Sequence, residues 1–165
     1  STDWSTSAGQ DRFRRGLYTT WRRTIPYPSM ATFDAPSRES SCAKRNRSNT
    51  PQQALVLLND PSFVEAARAL AETSALRTAQ QSDEEGVQWI WSRALARKAR
   101  ADELYVALNL LAEERARFEA DSKATKALLA VGKHAVPQDV PETELAAWTQ
   151  VSRLVLNLHE TVTRD

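Results

Sequence analysis

Cysteine is nearly absent: Cys42 is the only one among 165 residues. That excludes an internal disulfide, a cysteine-rich zinc site and the Cys-x-x-Cys-His arrangement that attaches a c-type haem. Histidine is almost as scarce, with His134 and His159 alone, and two isolated histidines with scattered acids give no metal-ligand spacing. Four glycines and seven prolines exclude collagen-like and Gly/Pro low-complexity chains. No apolar run approaches the ~20 residues that cross a bilayer as a helix. Strands with a two-residue alternation are missing, and so is any repeat of roughly 20–50 residues. What remains is an ordinary composition, 41% hydrophobic and 26% charged, sufficient to close a core in one domain over residues 1–165.

The net charge of +1 hides a split. Residues 1–50 carry nine arginines and lysines against four acids, a net +5, so the remainder is −4. Such asymmetry marks either an anion-binding arm or a basic segment that docks on an acidic body. The near-cancellation favours docking. The chain opens at Ser1 with no signal-peptide pattern, which leaves the compartment open.

Residues 1–11 are polar and read as a loose arm around Trp4. Residues 12–25 interleave arginines with Phe13, Leu17, Tyr18, Trp21 and Ile25. Leu17, Trp21 and Ile25 suit a short helix, while the Tyr18–Trp21 run favours extended chain. Residues 26–50, with three prolines and five serines, form a long irregular segment, expected to wrap in order over the surface.

From Thr50 the chain becomes helical. Thr50-Pro51 is a cap followed by proline at the first helical position. Asp60-Pro61 repeats the device and predicts a helix over 60–76, with Phe63, Ala67, Leu70 and Ser74 on one stripe. Ser82-Asp83-Glu84-Glu85 is a capping box opening a helix over 83–98 that buries Val87, Ile90, Trp91, Ala94 and Leu95. Asp102 opens the next, over 102–120, with Leu104, Leu108, Leu111, Arg115 and Phe118 inward. A weaker turn follows at 122–131. The last helix, 143–159, uses Leu145, Trp148, Val151, Val155 and Leu158. The expected fold is mainly α: an irregular helical bundle of about four main helices over 51–165, preceded by a largely non-helical arm and wrap over 1–50.

Chemistry-bearing residues concentrate in the wrap. Asp34, Arg38 and Glu39, followed by Arg45 and Arg47, are the candidate binding residues. Loops carry binding chemistry disproportionately, and arginine forks hold carboxylate, phosphate or sulfate. Three readings stand: the side chains stitch a ladderless backbone onto the body, they contact an anion or a saccharide, or they serve catalysis. Stitching is the favoured one. The Arg/aromatic run at 12–23 could meet nucleic acid, but the balanced charge argues against it. Cys42 lacks the adjacent base that a nucleophile needs. No metal and no cofactor are expected in this chain.

The strings RRGLYTTWRRTIPYPSMATFDAPSRE, RNRSNTPQQALVLLNDPSFVEAARALAE and ELAAWTQVSRLVLNLHETVTRD carry a resemblance that covers nearly the whole chain. It resembles the C-terminal part of a planctomycete domain of unknown function, the family numbered fifteen fifty-three. The resemblance implies a large exported parent protein with an upstream c-type cytochrome domain, and an extracytoplasmic location. It implies that the remainder of the parent chain, a protein partner or a second copy covers this part. It transfers no catalytic residue. Ser41-Cys42-Ala43-Lys44 stands where members often have a Cys-Thr-Val-Arg-like string, and His159 where many have aspartate. The role expected is a non-catalytic packing and interaction module, or alternatively part of the substrate cleft of a redox or polysaccharide-linked enzyme.

Overall fold

Helices end where a backbone donor or acceptor finds a side chain, and this chain marks most of its ends that way. The computed structural model describes residues 7, 9–22, 25–46, 48–78 and 81–162. Trp4 and Arg47 lie outside the described residues. Among those described, the chain is mainly α and contains no strand. The helices are α1 (Pro28–Thr32), α2 (Pro51–Asn59), α3 (Pro61–Thr78), α4 (Asp83–Leu95), α5 (Ala101–Ala120), α6 (Ser122–Leu129), α7 (Glu142–Leu156) and α8 (His159–Val162). The chain divides into two compact units, residues 1–53 and 54–165.

The second unit is built around α7, which packs chiefly against α3 and α5. Leu145, Trp148, Val151 and Val155 are buried along one α7 face. Ile90 and Trp91 of α4, and Leu111 and Phe118 of α5, close the same core. On α3 the facing residues are Ala67, Ala71 and Ala75, whose small side chains let the two helix axes approach. The expected capping box at α4 forms: Ser82 Oγ accepts from the Glu85 amide at 3.3 Å, and Glu85 accepts from the Ser82 amide at 3.0 Å. Asp60 caps α3, accepting from the Ser62 amide at 2.8 Å.

Three details depart from expectation. Asp102 does not open α5; Arg100 does, because its amide finds Glu103 at 2.8 Å. The last helix breaks at Asn157, and α8 is held by Arg97, which bridges Glu103 at 2.8 Å and Glu160 at 2.6 Å. On α3 the buried row runs through Val64, Ala67, Arg68, Ala71 and Ser74, while Phe63 and Leu70 stay half-buried. The cause is polar. The Arg68 guanidinium donates to the Leu129 and His134 carbonyls, and buried Glu65 accepts from the Lys133 amide. The carbonyls that end α6 lack intrahelical donors, and α3 turns its charged row toward them.

In the first unit two short 3₁₀ helices, Gly9–Phe13 and Gly16–Tyr18, replace the ambiguous reading of residues 12–25. Within the segment expected to be irregular, α1 adds one helical turn started by Pro28. Residues 35–46 carry no helix or strand. Among the described residues of this unit, Gln53 alone is buried.

Candidate functional site

A segment without a ladder must satisfy its backbone through side chains, and Asp34 is where the first unit does so. Asp34 holds φ +58°, the left-handed conformation that Asp tolerates better than most side chains. Its Oδ2 accepts from the Ser48 amide at 2.8 Å and the Ser48 hydroxyl at 2.7 Å. The Gln53 side-chain Nε2 donates to the Thr32 carbonyl at 2.8 Å, to Ser48 Oγ at 3.0 Å and to Asp34 Oδ2 at 3.4 Å. These hydrogen bonds, the Ser48 hydroxyl foremost, hold the Asp34 carboxyl below its ordinary value of 3.8, so it stays ionised at neutral pH.

Gln53 also closes a second device. Its Oε1 accepts from the Thr50 amide at 3.1 Å, while Thr50 Oγ1 accepts from the Gln53 amide at 3.3 Å. This is a capping box at the start of α2. One glutamine thus both starts a helix and pins the segment before it. The sequence reading named Thr50 as a cap and missed Gln53 and Ser48. The Thr-x-x-Gln spacing was the signal available for the first; Ser48 had none.

The five candidate residues are only partly brought together. Arg45 reaches back to donate its Nε to the Asp34 carbonyl at 2.9 Å and its Nη2 to the Phe33 carbonyl. Arg38 does something else: at φ +64° its guanidinium lies over the Trp21 ring, 4.7 Å from the centroid. Glu39 is exposed, and its amide donates to Ser37 Oγ at 3.4 Å. Arg47 lies outside the described residues. Asp34 and Arg45 therefore form a centre of mutual and backbone bonds, while Arg38 and Glu39 stand apart from it.

Beside that centre lies an open groove of about 580 Å³, lined by residues that include Asp34, Ser37, Ser40, Ser41, Lys44 and Arg45. Arg38 and Glu39 are not part of its lining. Cys42 is exposed, and its thiol donates to the Lys44 carbonyl at 3.2 Å. Among the described residues no three His, Cys, Asp or Glu side chains gather as a metal site would need, and no helix is long and apolar enough to cross a membrane.

A family model described as PSD1, protein of unknown function (DUF1553), matches residues 1–111. The chain belongs to that family. The matched stretch contains the whole Asp34–Gln53 centre of this PSD1 chain and runs through α4 into α5. It is shorter than the resemblance suggested, because α7, with the ELAAWTQVSRLVLNLHETVTRD string, lies beyond it. No curated protein and no solved structure matches the chain.

Proposed function

We propose that this PSD1 chain is a non-catalytic packing and interaction module, acting as the C-terminal part of a large exported, cytochrome-linked protein outside the cytoplasm. One observation carries the role: among its described residues, the first unit leaves large apolar side chains uncovered and buries none completely. Leu17 is 72% and Tyr18 65% exposed, on one 3₁₀ turn. No apolar side chain among the described residues of that unit is buried. A segment that cannot remove apolar area from water by itself gains stability from a surface that does so. The remainder of the parent chain, a protein partner or a second copy would supply it. The exported, cytochrome-linked setting rests on the family resemblance alone.

The bonding of Asp34 and Arg45 supports the same reading. Their polar atoms serve the wrap, which is the arrangement of a scaffold. The test is hydrogen exchange on residues 9–53, in this chain and in the full-length parent protein. Strong added protection in the parent is the expected result; equal exchange in both refutes the module. A substrate and electron-acceptor screen on the full-length protein tests the cleft alternative. Turnover that disappears in Glu39→Gln, a substitution at an exposed side chain, would establish the cleft instead.

A further inference from the structure

The groove beside Asp34 is lined by more basic than acidic side chains. Several acceptors at the base of this loop already have partners. Asp34 Oδ2 is engaged by Ser48 and Gln53, the Asp34 and Phe33 carbonyls by Arg45, and the Lys44 carbonyl by the Cys42 thiol. Lys44, Ser40 and Ser41 are exposed and line the groove, bringing an ammonium and two hydroxyls as donors. Arg45 anchors through Nε and Nη2, and Nη1 is its third donor nitrogen. Lys44 and Arg45 outweigh Asp34, the single acid in the lining, so the groove is also net positive. A positive lining, ammonium, guanidinium and hydroxyl donors and a concave wall are the chemistry that recognises an oxyanion.

We propose that this groove binds a small oxyanion, a sulfate or phosphate ester on a sugar-sized molecule, through Lys44, Arg45 Nη1 and the Ser40 and Ser41 hydroxyls. The size follows from the groove, whose 580 Å³ exceeds a bare ion and falls within the usual range of small-molecule sites, roughly 300–1,000 Å³. Arg45 has a double part: two of its donors fix the loop, and that fixation aims the third. Arg38 is outside the site, since it sits on Trp21. This binding is independent of the packing role, for a module can carry a ligand without catalysing anything.

The experiment is an NMR titration of this chain with sodium sulfate, sodium phosphate, a monosaccharide monosulfate, a monosaccharide monophosphate and the uncharged monosaccharide, each at ionic strength matched with chloride. Saturable shifts confined to residues 37–46 with the charged probes, and none with the uncharged sugar, are expected. The sulfate and phosphate arms identify which ester is preferred. Lys44→Ala should weaken binding about tenfold, the loss of one charge-assisted hydrogen bond, and the pair Ser40→Ala/Ser41→Ala, which removes two donors, by at least as much. Arg38→Ala should bind as the parent chain does. Shifts scattered over every basic residue, no saturation, or full binding by Lys44→Ala would overturn the proposal. Because Lys44 and both serines are exposed, their variants keep the fold, and an unchanged amide spectrum outside the loop verifies it.

Discussion

At the scale of single residues, the buried charges on α3 are the most sensitive points. Arg68, 2% exposed, supplies the donors for the Leu129 and His134 carbonyls. Arg68→Ala should destabilise the chain by about 3 kcal/mol, since buried acceptors left without donors carry the full desolvation penalty; urea denaturation followed by circular dichroism measures it. Gly132 is the companion position. Its φ is +92°, and a Cβ there would lie 2.3 Å from Glu65 Oε2, an oxygen already bonded to the Lys133 amide. Gly132→Ala should cost ~1–3 kcal/mol through strain and displacement of Glu65, read in the same titration. Arg68 was not legible as structural in the sequence. Charges spaced along a helix read as a solvated face, and the turn that receives them lies more than sixty positions away. The candidate site was legible as a region and less so by residue. Asp34 and Arg45 sit at its centre, yet nothing in composition distinguishes Arg45, which folds back on the loop, from Arg38, which stacks on an aromatic ring.

At the scale of elements, local signals carried far. Proline after a cap residue placed the starts of α2 and α3, and Ser-x-x-Glu placed the start of α4. These devices act within four residues, so the chain shows them directly. The core stripes of α4, α5 and α7 followed from period 3.6; the α3 stripe did so only at Ala67 and Ser74, because tertiary hydrogen bonds to the turn after α6 set its rotation. Trp148, fully buried at the centre of α7, tests the packing. Trp148→Ala should lose ~3–5 kcal/mol, seen as a lower urea midpoint. Thr50→Ala should cost less, ~1 kcal/mol for a lost cap, and should disturb Gln53 more than α7. Amide exchange resolved along the chain would show that difference.

At the scale of the whole molecule, acid stability depends on carboxylates held by arginine. The Arg97 guanidinium holds Glu103 down from 4.5 to about 2 and lowers Glu160 as well. Arg115 lowers Asp83, donating to it and to Glu144. A carboxyl whose folded value lies below its unfolded one adds stability above the unfolded value, and that stability is lost as pH falls through the folded one. The second unit should therefore weaken between about pH 4.5 and about pH 2. In Glu103→Gln the slope over that window should flatten, with lower stability at pH 7; thermal melts at half-unit pH steps check both.

The bonds from Ser48 to Asp34 span fourteen positions and close the segment between them at its base. Closure entropy grows only with the logarithm of length, so doubling such a loop costs about 0.6 kcal/mol. The stretch is accordingly the place where the polypeptide can grow. An epitope spliced between Ser40 and Ser41 would be carried outside the base, leaving the Asp34 and Ser48 ends in register while separating the two hydroxyls of the proposed oxyanion groove. In a lineage of related sequences, the same property lets the length of this stretch drift at little cost in stability.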